Sequence, residues 1–267
     1  MKTTAQKMID RAAYDHYWAK GWLVVEGVFE RDEADRIAEL ATEIGLKELS
    51  SAPAVAIDRS EDGQQAPRKV VQPFLKNPIF RQFALDPRVI EIITMLLGKQ
   101  PLLMTDQVFM KPPRFGSAKP FHQDNAYFQC VPADEVITSW VALDDVDASN
   151  GCLRYIDGSH QGPLLPHEPL PGDPKNRVPP KDLIDLSKES LALVRKGGAV
   201  FHHSQTLHTS HRNESDRWRR AYGGHWVTAD VRCEKTEESM EGMAFKSLET
   251  AYFRGDLYPE SQRGRGP

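Results

Sequence analysis

The chain has 267 residues, of which 40% are apolar and 9% aromatic, with 34 basic against 38 acidic side chains and a formal charge of −4. That apolar content can build a sizeable core, so global disorder is excluded, and the length suits one large domain. The weak acidic balance gives no electrostatic footprint for nucleic acid or an anionic lipid surface.

A small-molecule partner is therefore expected, with neither nucleic acid nor membrane involved; the oligomeric state is unknown from the sequence. No stretch approaches the roughly 18–20 apolar residues of a membrane span. The opening Met1-Lys2-Thr3-Thr4-Ala5-Gln6-Lys7 lacks the apolar core of a secretion signal, so a cytoplasmic location is expected. The three cysteines, Cys130, Cys152 and Cys233, form no C-x-x-C pair. They are read as small unpaired thiols in a reducing compartment.

In chain order, residues 8–20 have a helical pattern, and Gly21 to Phe29 reads as a strand rich in β-branched and aromatic residues. From Arg31 the period changes: Ala34, Ile37, Ala38, Ala41 and Ile44 recur at three and four, which predicts an amphipathic helix. Residues 47–68 mix Ser, Pro, Gly and charge without periodicity, as a long loop of the kind that forms lids or stays disordered. Pro78 to Ala84 is helical. After Asp86-Pro87 comes an apolar helix carrying Val89, Ile90, Ile92, Ile93 and Leu96, stopped at Gly98.

From Leu102 onward the pattern is mostly strand: Leu102–Met110, the stretch at His122, Val136–Leu143, Cys152–Ile156, Leu191–Val194, Ala199–His203 and Arg219–Thr228. Helices followed by a run of strands predict a mainly β protein with flanking helices, its core a jelly-roll of two packed sheets. Residues 158–182, rich in Pro and Gly, are a second lid candidate. No internal repeat or linker is visible. The expected organisation is a single domain over 1–267, with a helical part to about 100, a core over about 101–230 and a tail from 231.

The most informative stretch is Phe121-His122-Gln123-Asp124-Asn125-Ala126-Tyr127-Phe128. On an extended strand residues i and i+2 share a face, so His122 and Asp124 can converge and offer one nitrogen and one oxygen ligand. A second histidine would complete a 2-His-1-carboxylate triad with open positions on Fe(II). Of the cluster His202, His203, His208 and His211, position favours His208, which follows the apolar Gly198-Ala199-Val200-Phe201 strand by a short turn.

Arg219 is the candidate anchor for the far carboxylate of a keto acid, which calls for a planar, permanently charged fork. By alternation Arg219, Ala221, Gly223 and His225 share one strand face, and the small residues leave room for a ligand beside the guanidinium. The competing reading takes Arg217, Arg219 and Arg220 as a solvated basic edge.

The order and spacing of these pieces resemble the phytanoyl-CoA dioxygenase (PhyH) family of Fe(II)/2-oxoglutarate-dependent oxygenases. The resemblance rests on His122-Gln123-Asp124, on Trp140 to Asp145, and on Asn150-Gly151-Cys152-Leu153 through Gly158-Ser159-His160. It continues through Gly198 to His203, His208-Thr209-Ser210, Asn213, and the eleven-residue step from His208 to Arg219. With the Gly-Trp-Leu-Val-Val strand and the helix after it, the resemblance covers nearly the whole chain.

It implies a double-stranded β-helix (jelly-roll, cupin-like) core, with His122, Asp124 and His208 as iron ligands and Arg219 as the 2-oxoglutarate anchor. Gln107 and Trp140 are implied to line the cosubstrate pocket. His203 stands where relatives often carry a non-ligand histidine, and His211 where many have a small residue. The implied cofactors are Fe(II), 2-oxoglutarate as cosubstrate and O2.

The implied activity is hydroxylation of an unactivated C–H bond in a small molecule, with release of succinate and CO2. Family-like halogenases lack the carboxylate ligand, so Asp124 favours hydroxylation over halogenation. Asp157 replaces the family's usual Pro, away from the metal ligands. Desaturation, epoxidation, cyclisation or epimerisation would use the same iron site, and a non-catalytic metal- or ligand-binding jelly-roll is the reading from another class. Phe121, Tyr127, Phe128 and Trp140 are expected in the substrate pocket. Arg59, Lys69, Arg114 and Lys119 are candidate contacts for an anionic substrate or, equally, solvated charges.

Overall fold

The structure, a computed structural model, describes residues 9–233. Helix α1 (Arg11–Lys20) begins where the Asp10 side chain accepts from the Ala13 N–H, and it ends at Gly21, whose φ of 84° is left-handed. Strand β1 (Trp22–Val25) follows, shorter than the expected strand to Phe29. The chain leaves the sheet there and enters helix α2 (Arg31–Glu48) through a capping box of Glu30 and Glu33. The predicted apolar stripe of α2, Ala34, Ile37, Ala38 and Ala41, is its buried face.

The 47–68 segment is not structureless. It contains a hairpin of β2 (Ile57–Arg59) and β3 (Gln65–Pro67) whose turn includes Gly63 at φ 86°. Each hairpin strand is only three residues long, too short for a period-2 pattern to register. Strand β4 (Lys69–Val71) then leads to helices α3 (Pro73–Lys76), α4 (Pro78–Ala84) and α5 (Pro87–Leu97). Asn77 caps α4; Asp86 caps α5 and Gly98 stops it, as the sequence signals predict for α5.

The strands that follow are β5 (Leu102–Lys111), β6 (Lys119–His122), then after a one-turn helix α6 (Asn125–Phe128) β7 (Cys130–Val131), β8 (Val136–Ala142) and β9 (Leu153–Ile156). After them come β10 (Glu168–Leu170), β11 (Asp173–Val178), β12 (Glu189–Ala192), β13 (Ala199–His203), β14 (His208–Ser210), β15 (Arg219–Val227) and β16 (Arg232–Cys233).

Six strands form the larger sheet in the order β1-β13-β8-β15-β5-β4, and four form the smaller in the order β12-β9-β14-β6, every pairing antiparallel. The protein is mainly β with flanking helices, and the sheets are those of a jelly-roll.

Strand alternation splits the larger sheet into two faces. Val108, Met110, Ile137, Val141, Phe201, Tyr222 and Trp226 belong to one apolar core together with residues of α2, α4 and α5. The opposite parity carries Val200, Trp140, Ala142 and Ala221, which cluster with Leu153, Tyr155 and Ala192 of the smaller sheet. The helices therefore cover the outer face, while the inner face meets the smaller sheet and carries the polar residues considered below.

Cys130 and Cys233 stand opposite each other in the β7–β16 pair and are joined by a disulfide across 103 residues of sequence; Cys152 is free and buried. The expectation of three unpaired thiols is corrected here. Strand pairing, not sequence spacing, brings the two sulfurs together. No helix among the described residues is long and apolar enough to cross a membrane.

Asp106 is a fully buried carboxylate on the outer face of β5, where it accepts from the Phe74 N–H at 2.8 Å and from the Tyr222 hydroxyl. A hydrogen bond to a buried charge contributes about 1.5–3 kcal/mol. Tyr222→Phe is expected to destabilise the protein by about that amount, measured as a lower urea midpoint with an unchanged m-value.

Candidate active site

His122 is the last residue of β6 and His208 the first of β14; they are paired across the smaller sheet with ring centroids 4.2 Å apart. The Nδ1 of His122 lies 2.9 Å from the Pro120 carbonyl, and that of His208 2.9 Å from the Thr206 carbonyl. A carbonyl only accepts, so each Nδ1 carries the proton and each Nε2 keeps its lone pair for a metal.

Asp124 meets them by a route the sequence reading did not foresee. It is not on a strand: its φ of −57° and ψ of −39° place it at the start of α6, so the chain turns from strand to helix between the two residues. The side chain of Asn125 fixes that turn, accepting from the Cys130 N–H at 2.8 Å and donating to its carbonyl at 3.1 Å. Asp124 Oδ1 lies 3.6 Å from His122 Nε2 and 3.7 Å from His208 Nε2. One ligand atom from each of the three buried residues falls within 4.8 Å of the others. The set of two imidazoles and one carboxylate fits a metal that must keep open positions.

Burial works against the charge on Asp124, but the surrounding His208, His202 and His225 rings outweigh it and hold its carboxyl well below the usual range. Burial, with His208 and Lys119 nearby, pushes His122 far below the ordinary imidazole value, so it is neutral and free to ligate.

The remaining histidines separate by strand parity. His202 is buried with Nε2 3.1 Å from Asp124 Oδ2, whereas His203 points the other way, to Asp134 at 3.0 Å. His211 is exposed and contributes its backbone carbonyl to Lys111. The sequence offers His202 as one candidate for the third ligand, gives Tyr155 and Thr138 no role, and places His225 on the Arg219 face without one. The alternation of β8 and β13 would have put Thr138 and His202 inside.

Arg219 is 3% exposed, and its guanidinium lies over the Trp140 ring, 5.3 Å from the centroid. Its Nε and Nη1 are buried without a hydrogen-bond partner, and burial pushes its pKa down to about 10. Unpaired N–H groups on a buried cation are costly, and an incoming carboxylate would offset that cost. Arg220 and Arg217 differ: Arg220 is bound by Asp144 on the other face and Arg217 pairs with Asp147 at the surface. Gln107 and Trp140 both pair with Gly223, on either side of it, and both are buried. The space above Gly223 is not open for a ligand, since a Cβ there would lie 2.5 Å from the Phe109 ring.

Of the expected pocket residues, Tyr127 meets His122 edge-on at 5.9 Å and Phe121 is half-buried. Phe128 is instead core, packed with Met104, Cys130, Val136 and Val227, because α6 turns it inward. Of the candidate cations, Arg114 pairs with Asp216 and Arg59 is exposed, while Lys119 donates to Asn176 and to the Tyr127 hydroxyl.

The 158–182 segment forms a strap, with β10 and β11 as its hairpin, bound to the His122–Asp124 loop itself. The Gln123 side chain accepts from the Leu165 N–H and donates to the Gln205 carbonyl, each at 2.8 Å, and the Gln123 N–H donates to His167 at 3.1 Å. The Arg177 N–H donates to the Tyr127 hydroxyl at 2.9 Å.

Comparison with known proteins bears directly on this site. The model of the phytanoyl-CoA dioxygenase (PhyH) family matches residues 17–221, most of the chain, including His122, Asp124, His208 and Arg219. The chain belongs to the phytanoyl-CoA dioxygenase family. It is a non-haem Fe(II)- and 2-oxoglutarate-dependent dioxygenase that uses O2.

This dioxygenase is 27% identical over 250 residues to the peroxisomal phytanoyl-CoA dioxygenase of Mus musculus, covering 88% of this chain and 73% of the relative. It is 31% identical over 182 residues to phytanoyl-CoA dioxygenase domain-containing protein 1 of Danio rerio, covering 65% and 62%. Among solved structures, the α-ketoglutarate-dependent carbocyclase SnoK from nogalamycin biosynthesis shares the fold at a TM-score of 0.71 and 22% identity, over 97% of this chain and 98% of that one.

Gln123 joins the strap to the His122–Asp124 loop. Gln123→Ala removes two side-chain hydrogen bonds and leaves the Gln205 carbonyl and Leu165 N–H unpaired, a cost of about 1–3 kcal/mol. Amide exchange over 165–178 is expected to rise roughly 5- to 100-fold in the dioxygenase, measured by hydrogen–deuterium exchange.

Proposed function

We propose that His122, Asp124 and His208 hold the iron, that Arg219 anchors the distal carboxylate of 2-oxoglutarate, and that Gln107 and Trp140 line the cosubstrate pocket within a single domain. The observation that carries this reading is the pairing of bare ligand atoms on His122, Asp124 and His208 with an unpartnered, buried guanidinium on the inner face of the same sandwich. The primary substrate is a small molecule, and the reaction we assign is hydroxylation of an unactivated C–H bond.

Bound iron and 2-oxoglutarate supply the oxidative decarboxylation, which yields succinate and CO2, and the oxidising power for the C–H bond. The chain's own work is geometric. Pro120 and Thr206 set the histidine tautomers, and Trp140 supports the guanidinium face by a cation–π contact. The strap at 158–182 and the hairpin at 57–67 cover the approach, exclude water and select the substrate.

The test is succinate release after anaerobic loading with Fe(II) and 2-oxoglutarate, followed by O2, for wild type, His208→Ala and Arg219→Ala. Wild type is expected to release succinate, and His208→Ala to abolish it. Arg219→Ala, losing charge-assisted bonds of about 1.5–3 kcal/mol, is expected to raise the KM for 2-oxoglutarate roughly 10- to 100-fold. Full turnover in His208→Ala would remove that residue from the ligand set. Mass spectrometry of a converted substrate would show one added oxygen atom; a desaturated or cyclised product would replace hydroxylation.

A further inference from the structure

We propose that His202, Tyr155, Thr138 and His225 are positioning residues that occupy one oxygen of Asp124 from two directions and so confine the carboxylate to one-point attachment to the metal. The proposal rests on the assignment of His122, Asp124 and His208 as ligands.

The two oxygens of Asp124 have different surroundings. Oδ1 faces His122 Nε2 and His208 Nε2 at 3.6 and 3.7 Å. Oδ2 faces away from that gap and takes two donors, the Thr138 hydroxyl at 2.8 Å and His202 Nε2 at 3.1 Å.

The direction of each bond follows from what each atom can do. An ionised carboxylate only accepts, so His202 Nε2 carries its proton, and a neutral ring must then accept at Nδ1. The Tyr155 hydroxyl, 2.8 Å from that Nδ1, is the donor. In the same way Thr138 gives its one proton to Asp124, so its oxygen accepts from His225 Nδ1 at 2.9 Å.

Both relays end on rigid supports. The Tyr155 ring stacks on Trp22 at 5.0 Å with 10° between planes, and Trp22 Nε1 donates to Asp157 at 2.8 Å. The His225 ring meets Phe128 edge-on at 4.9 Å. Thr138 and His202 are themselves cross-strand partners in the β8–β13 pair, and Thr138 pairs with His225 across β8–β15. Three adjacent strands of the larger sheet thus hold one oxygen of a ligand carried by the loop after the smaller one.

The consequence concerns coordination number. A six-coordinate iron with three protein atoms has three positions left, two for a chelating keto acid and one for O2. A carboxylate bound through both oxygens would take one of those three. Swinging Oδ2 towards the metal would break both of its hydrogen bonds inside a buried interior, so the relays keep the third position open.

The decisive experiment compares wild type with Thr138→Val, His202→Phe, the double variant, His202→Gln, Tyr155→Phe and Asp124→Ala, all loaded anaerobically with Fe(II). Two quantities are measured: Fe(II) affinity by competition with a chelator, and 2-oxoglutarate affinity from the visible charge-transfer band of the Fe(II)–2-oxoglutarate complex. The double variant should keep Fe(II) within about tenfold of wild type yet bind 2-oxoglutarate roughly 10- to 100-fold more weakly, with a shifted band. His202→Gln, whose amide can donate to Oδ2, should restore most of the loss.

Tyr155→Phe combined with His202→Phe should be no worse than His202→Phe alone, because Tyr155 acts through His202. An unshifted band and unchanged 2-oxoglutarate affinity in the double variant would overturn the proposal while leaving the ligand assignment intact. So would Fe(II) loss in folded His202→Phe equal to that in Asp124→Ala, since His202 would then itself be a ligand. Fe(II) binding in Asp124→Ala equal to wild type would instead overturn the ligand assignment beneath the proposal.

Discussion

Two opposite charges lie buried inside one sandwich without pairing with each other, and the rest of the site depends on keeping them apart. Asp124 is held by histidines and Thr138, while Arg219 stands over Trp140 with two N–H groups unpartnered. Direct pairing would neutralise both at little cost and leave nothing for a metal or a keto acid. The separation is enforced by their supports. Asp124 hangs from the turn after β6 in the smaller sheet, and Arg219 is fixed by β15 in the middle of the larger one. In the reading proposed above, Asp124 takes a cation as its further partner and Arg219 a carboxylate, so the buried charges of this sandwich are what bind its cofactors.

The same separation explains why both faces of the larger sheet are filled so differently. Helices α2, α4 and α5 take the outer face with a continuous apolar core, so β8, β13 and β15 are held rigidly from behind. The inner face can then carry Thr138, His202, His225, Arg219 and Gln107 in place of hydrophobic side chains. Lys111, opposite Arg219 in the β5–β15 pair, shows the cost of such an interior: its amino group donates to the backbone carbonyls of Ser117 and His211, each at 2.6 Å, and burial pushes its pKa down to about 6. It anchors the chain beyond β14.

Much of this was legible from residue order. The start of α5 at Asp86-Pro87 and its stop at Gly98 are local chemistry and fell where the sequence put them. The parity of β15 was also readable, since Arg219 and Tyr222 must take opposite faces of any strand. What escaped was non-local. The disulfide of Cys130 and Cys233 depends on β7 meeting β16, which no spacing rule encodes. The space over Gly223 belongs to Phe109 of the neighbouring strand, so the small residue serves packing and not ligand access. His122 and Asp124 were rightly paired for the wrong reason: the i,i+2 spacing suggested a strand, and the structure supplies a strand-to-helix turn. The hairpin at 57–67 was missed because its strands are too short for any period to show.

Gln123 stands between the two proposed ligands His122 and Asp124. In the sequence it carries no sign of metal chemistry and is assigned no role beyond its place in the motif. In the folded chain it is fully buried and ties the strap at Leu165 and His167 to the loop at Gln205, which leads to His208. Any displacement of the strap by a substrate must therefore be felt by residues adjacent to all three proposed ligands. Tyr127 repeats the coupling from the other side, holding Arg177 of the strap while its ring touches His122. The strap and the metal centre proposed above thus share residues. A change in the strap must preserve these bonds, or it will loosen the residues proposed to hold the metal.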